Sequence, residues 1–129
     1  MTILGIGVDI LHLPRMRQVL ARHPERLITR ILTKSEQQEF HAIREKAGQT
    51  NDDDAPIRYL GARWALKEAS YKAMYPHHKL TWQDVTVVKQ GGKPCLSIPE
   101  KERFGIGNTH ASVSHDGEYL IGQVLFESP

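Results

Sequence analysis

A single cysteine, Cys95, leaves the chain without a disulfide partner, which fits a reducing compartment. No stretch approaches the roughly 18 consecutive apolar residues that a membrane-spanning helix needs. The N-terminal MTILGIGVDI is apolar, but it is short and carries Asp9. It also lacks the basic start and small-residue cleavage site of a secretory signal. A large charge excess is missing too, since 17 Lys and Arg against 15 Asp and Glu give a net charge of +2. A dedicated nucleic-acid binder shows a basic stripe, whereas here charges of both signs are mixed along the chain. These absences predict a cytoplasmic protein, with the mitochondrial matrix as alternative, that engages neither membrane nor nucleic acid. Repeats and low-complexity tracts are absent as well. A chain of 129 residues that is 40% hydrophobic has material for one small core, so one domain over residues 1–129 is expected.

The patterning predicts strand, helices, then several strands. Residues 3–10, ILGIGVDI, read as a buried strand ending near Asp9. Pro14 fits the first turn of a helix through PRMRQVLARH, where Met16, Val19 and Leu20 are spaced at three and four. TKSEQQEFHAIREKA predicts a second helix, with Ser35 and Gln38 as an S-x-x-Q capping box. The stretch GQTNDDDAP, residues 48–56, reads as a mobile acidic loop. A third helix is expected over residues 57–74, and Pro76 prevents its continuation. Then DVTVVKQ, the turn GGKP and the short CLSI predict strands. THASVSH and EYLIGQVLFE predict a hairpin about Asp116-Gly117. The order favours an α+β domain that ends in antiparallel sheet.

The third helix carries the unusual chemistry, in RWALKEASYKA at 63–73. Glu68 and Lys72 stand four apart, the spacing of an ordinary surface ion pair of about 0.2–0.5 kcal/mol. Ala65, Ala69 and Ala73 form a small-residue seam beside them, which lets another element approach and turns the pair toward a crevice. The same seam and the apolar final strand offer surfaces to a neighbouring subunit. GIGVDI has only two of the three glycines of a dinucleotide fingerprint, and its glycines also suit close strand packing. Asp9, at the end of an apolar strand, needs a partner if it is buried. Ser114 and His115 are adjacent on a predicted strand and point to opposite faces, so a nucleophile–base pair is not expected. His115 suits an anion instead. His77-His78 lacks a third ligand at a metal spacing. Trp64, Trp82 and Phe104 read as packing residues.

Together, GIGVDI, Arg15, RILTKSE, RWALKEASYKA, GKP and SVSHD resemble the short, stand-alone 4'-phosphopantetheinyl transferases, the holo-[acyl-carrier-protein] synthases. The segments occur in that family's order and cover nearly the whole chain. The resemblance implies transfer of 4'-phosphopantetheine from coenzyme A to a serine of apo acyl carrier protein, leaving adenosine 3',5'-bisphosphate. It implies Mg²⁺ held by Asp9 and Glu68, which with Lys72 form the catalytic group. Mg²⁺ accepts a few carboxylates together with waters and substrate phosphates. Lys72 would face phosphate, and Lys67 a second phosphate or the partner. Arg63 and His115 would meet the nucleotide end, with Lys93 and Pro94 bordering the adenine. Arg15 and Arg22 would form the basic surface that receives the acidic carrier, by default that of fatty acid biosynthesis. For the serine proton, Glu68 and a metal-bound water relayed through Asp9 both stand as bases. Relatives of this type form homotrimers with active sites between subunits, and the resemblance implies the same here. Arg15 and Glu68 of one site would then belong to one chain or to two.

Two other readings fit some of these residues. A different Mg²⁺-dependent enzyme acting on a nucleotide phosphoanhydride would use the same carboxylates and lysines, although no P-loop is present. A non-enzymatic module for an acidic partner would need Arg15 and Arg22 but neither Asp9 nor Glu68.

Overall fold

In the computed structural model, which describes residues 1–129, the chain runs β1 (Ile3–His12), α1 (Leu13–Arg22), α2 (Pro24–Ile31), α3 (Lys34–Thr50) and α4 (Asp54–Met74). It continues with β2 (Thr86–Gln90), β3 (Lys93–Ser97), β4 (Thr109–Asp116) and β5 (Tyr119–Glu127). This is the α+β order that the patterning predicts. The first strand does not pair with its sequence neighbours. It lies antiparallel beside β5, which is central in a sheet of order β1-β5-β4. β2 and β3 form a separate antiparallel pair.

Glycine and alanine position α4 on this sheet. A Cβ added at Gly7 would stand 1.9 Å from the carbonyl oxygen of Ala69, and one at Gly5 would stand 1.8 Å from that of Ala73. Gly122 on β5 meets Ala65 in the same way, with 3.0 Å available. The alanine seam is therefore consumed inside the chain by β1 and β5. It is not a surface for a neighbouring subunit, which corrects the sequence expectation. The seam was visible in the sequence, but its partner was not. α4 is buried on most of its circumference and joins both apolar clusters. One cluster sets Leu66 and Met74 among Val85, Phe104, Val124 and Phe126. The other sets Leu60 among Met16, Ile28, Ile31 and Phe40.

β1 is not a buried strand, and it runs on to His12. Strand alternation turns Gly7, Asp9 and Leu11 toward α4 and leaves Ile6, Val8 and Ile10 on the open face. Ile121 of β5, paired with Ile10, is exposed beside them. α2, which the sequence reading passed over, starts at Pro24 directly after α1. The capping box of α3 uses Thr33 and Glu36, not Ser35 and Gln38, because the helix starts one residue after Thr33. The expected acidic loop is mostly helix. α3 continues through Thr50, and Pro56 sits in the first turn of α4, where no backbone N–H is needed. Only Asn51–Asp53 connect the two, with Asn51 in the left-handed region at φ 58°. In the last hairpin Asp116 pairs with Tyr119, so the loop is Gly117-Glu118, with the positive φ on Gly117.

The contact at Gly7 gives a direct test. Gly7→Ala must displace α4 backbone, not a flexible side chain, so a loss of about 3 kcal/mol or more is expected in urea denaturation. Gly48→Ala, whose Cβ meets nothing within 4 Å, serves as the control and should not destabilise.

Candidate active site

The glycines of β1 let α4 close over the strand, and that closure brings Asp9 under the helix. Its side chain keeps 15% exposure, and Oδ1 lies 3.2 Å from Lys72 Nζ. The same ammonium donates to the Val8 carbonyl at 3.0 Å. Lys72 thus reaches across to the strand, which the surface-pair spacing with Glu68 does not predict. Glu68 is half-buried. Burial raises its carboxyl above the usual range, the charge of Asp9 raises it further, and Lys72 works against both. Two mutually repelling carboxylates share one lysine here, so the site is short of positive charge. A divalent cation fits that deficit. No three His, Cys, Asp or Glu side chains gather to hold a metal. Two carboxylates suit Mg²⁺, which completes its shell with water and substrate phosphate.

A second group assembles on another side of α4. Arg63, Pro94 and His115 line one cavity of about 640 Å³, in the company expected for a nucleotide end. The guanidinium of Arg63 stacks on the Tyr59 ring at 3.7 Å from its centroid. Arg63 is 5% exposed, and its Nε has no hydrogen-bond partner. An unsatisfied buried N–H is costly, which marks this arginine as held at some expense. Lys93 of β3 is exposed and does not line this cavity, although its neighbours Gly92 and Pro94 do.

Lys67 is elsewhere. Its ammonium is buried and donates to the Ile31 carbonyl at 2.7 Å, to Glu36 Oε1 at 2.5 Å and to the Trp82 carbonyl at 3.0 Å. With all three donors committed, it has none left for a phosphate. This corrects the grouping of Lys67 with the nucleotide residues. Burial lowers its proton affinity, and the Glu36 carboxylate offsets that. Glu36 is itself saturated: Oε1 accepts from Thr33 N at 2.9 Å, and Oε2 from Val87 N at 2.7 Å.

Arg15 lines a cavity of about 370 Å³ together with Asp9, Met16 and Trp64. Arg15 and Asp9 of one chain therefore face the same opening. Arg22 ends α1, exposed and outside that cavity. Trp64 packs on Trp82 with centroids 5.2 Å apart, the packing role expected for both. The sequence reading missed Glu36, although Thr33-x-x-Glu36 is itself a capping-box spacing. It also missed Lys46, Arg58 and Lys89 in the lining of the larger cavity, where no sequence spacing links three separate elements.

The sequence pattern of the 4'-phosphopantetheinyl transferase superfamily matches residues 5–124. The holo-[acyl-carrier-protein] synthase of Bacillus pumilus is 38% identical over 126 residues, covering 95% of this chain and 94% of that protein. That of Exiguobacterium sibiricum is 34% identical over 128 residues, covering 97% and 89%. Among solved structures, the holo-[acyl-carrier-protein] synthase of Neisseria meningitidis is similar with a TM-score of 0.81 at 26% identity, over 98% of this chain and 100% of that one. The synthase of Bacillus anthracis, solved in complex with CoA (3',5'-ADP), gives a TM-score of 0.79 at 27% identity and full coverage of both chains.

The two lysines of the K-E-A-S-Y-K stretch should separate cleanly. Lys67→Met strands the buried Glu36 carboxylate and should cost about 3–5 kcal/mol in urea denaturation. Lys72→Ala removes a half-exposed ammonium and should shift stability by about 1 kcal/mol or less.

Proposed function

Because the chain belongs to the 4'-phosphopantetheinyl transferase superfamily, we propose that it works as a holo-[acyl-carrier-protein] synthase through the Asp9, Glu68 and Lys72 group. The enzyme transfers 4'-phosphopantetheine from coenzyme A to a serine of apo acyl carrier protein. The serine oxygen bonds to phosphorus, the phosphoanhydride bond breaks, and adenosine 3',5'-bisphosphate leaves. The observation that carries the residue assignment is the pair of carboxylates that β1 and α4 bring together with a single lysine.

Asp9 and Glu68 would hold Mg²⁺. When bound, the ion supplies charge neutralisation at the pyrophosphate as the phosphoanhydride opens. Lys72, half-exposed beside Asp9, adds a fixed positive charge for the same oxygens. For the serine proton, Glu68 itself and a metal-bound water relayed through Asp9 both stand as bases. Arg63 and His115 bind the nucleotide end, and Pro94 packs against it. Arg15 and Arg22 steer the acidic carrier, and the opening that Arg15 shares with Asp9 admits its serine. A fatty-acid carrier and a cytoplasmic location go with this reading. No helix is long and apolar enough to cross a membrane.

The same reading includes a homotrimer with sites between subunits. Two features support it. The cavity of Arg63 and His115 shares no lining residue with the opening at Asp9, and Glu68 lines neither, so the residues assigned to one reaction are divided between separate openings of the chain. The open face of β1 and β5 leaves Ile6, Val8, Ile10 and Ile121 uncovered, with Ile10 at 65% exposure. Contiguous exposed apolar residues of this kind mark an interaction surface.

Intact mass tests the activity. Apo carrier incubated with the protein, coenzyme A and Mg²⁺ should gain one phosphopantetheine. Glu68→Gln should stay folded and lose at least about 100-fold in kcat, because a neutral amide is a poor Mg²⁺ ligand. Near-normal turnover of that variant at saturating Mg²⁺ would remove Glu68 from the site.

Complementation tests the shared site. Glu68→Gln and Arg63→Gln chains, each nearly inactive alone, should regain part of the activity after co-refolding. Some mixed sites then join an intact metal half to an intact nucleotide half. A light-scattering mass of one chain at working concentration would end the trimer reading.

A further inference from the structure

The larger cavity holds more positive charge than the reaction above has used. Besides Arg63 and His115 it is lined by Lys46, Arg58 and Lys89, and its one carboxylate is Asp52. Asp52 lies in the Asn51–Asp53 turn, where its carbonyl accepts from Ala55 N at 3.3 Å and starts α4. The adjacent Asp54 is bonded to Arg17 of α1. The Asp52 carboxylate thus stands at the cavity rim. There Arg58 Nη2 reaches Asp52 Oδ2 at 3.2 Å, with both side chains about half exposed.

The two arginines of the cavity stand in different states. Arg63 is buried with Nε unpartnered, while Arg58 already has an internal counter-ion. A solvated pair such as Arg58–Asp52 is weak and exchanges readily. A phosphate dianion offers more charge than a carboxylate and a bidentate fit to guanidinium, so it displaces Asp52. The pyrophosphate of coenzyme A must reach Asp9, Glu68 and Lys72, none of which lines this cavity. The phosphate left for it is the one on the ribose 3' oxygen.

We propose that Arg58 is a second guanidinium for the 3'-phosphate of coenzyme A, held by Asp52 until that phosphate displaces it, and that the pair sets the preference for a 3'-phosphorylated donor. The proposal rests on the coenzyme A reading above. A donor without the 3'-phosphate leaves the Arg58–Asp52 pair closed and gains nothing from it. The two residues therefore act in opposite directions on the natural donor.

Steady-state transfer with coenzyme A and with 3'-dephospho-coenzyme A tests this on the full chain. Arg58→Ala should raise KM for coenzyme A about 10-fold, the loss of one charge-assisted contact, with kcat little changed. Its KM for the dephospho donor should stay within about twofold. Asp52→Asn should lower KM for coenzyme A by about threefold and leave the dephospho donor alone. Calorimetric binding of adenosine 3',5'-bisphosphate against adenosine 5'-monophosphate, which needs no turnover, should show the same split. An equal loss on both donors in Arg58→Ala, or a rise in coenzyme A KM in Asp52→Asn, would overturn the proposal. A wild-type chain that transfers from neither donor overturns the coenzyme A reading itself, and this proposal with it.

Discussion

The buried ammonium of Lys67 is the constraint on which the rest of the structure depends. It ties α4 to the end of α2 at Ile31, to the first turn of α3 through Glu36, and to the turn before β2 at Trp82. Glu36 extends the tie to β2 through Val87 N. A buried ion pair is weak evidence for stability, because desolvation offsets most of the attraction. Its consequence here is geometric. Successive helical residues project about 100° apart, so a lysine fixed toward α3 turns the next residue, Glu68, toward β1. Glu68, proposed above as a metal ligand, adjoins a side chain held by three hydrogen bonds.

The Gly–Ala contact sets the other side of the same helix. Gly5 and Gly7 bring β1 against the backbone of Ala73 and Ala69, closer than any side chain allows. Asp9 follows on the same face of the strand two residues on. The backbone contact therefore sets how close Asp9 lies to α4, and the Lys72 side chain spans the rest. α4 has no single apolar stripe because it is buried on most sides. The polar groups among its inner residues, Arg63, Lys67, Glu68 and Ser70, each need a partner, and the partners differ. Ser70 returns its hydroxyl to the Leu66 carbonyl at 2.7 Å. Lys67 has Glu36, and Glu68 has the nearby charge of Lys72 against that of Asp9. Arg63 has the Tyr59 ring, with one N–H left over.

Much of this was legible in the sequence, and the misses share a cause. Periodicity located α1, α3, α4 and the last hairpin, because those signals are local. An Asp on an apolar strand and a charged pair beside an alanine seam singled out Asp9, Glu68 and Lys72, but their grouping came from the family resemblance. Lys67 and Lys72 look alike in sequence, and only the tertiary position of α3 separates a saturated core lysine from an available one. The acidic stretch at 48–56 reads as a loop by composition. Most of it folds as helix, with Arg17 of α1 bonded to Asp54 in the first turn of α4, and no local pattern shows that contact. Ala65, Ala69 and Ala73 announce a close contact without naming its partner, and the chain supplies that partner itself.

β1 connects these constraints to assembly. Its inner face carries Gly7 and Asp9 against α4, while its outer face carries Ile6, Val8 and Ile10 to the surface. The strand is also at the edge of its sheet, bonded on one side only, to β5. On its inner side the strand is held by the glycine contacts with α4, and on its outer side nothing in the chain supports it. In the trimer proposed above, neighbouring copies cover that face. They would then hold the strand flat against α4 from outside, as the glycines do from inside. Subunit contact would thus stiffen the metal half-site while supplying the nucleotide half-site from the next chain. A dissociated chain would lose both at once, the second half-site and the support behind Asp9.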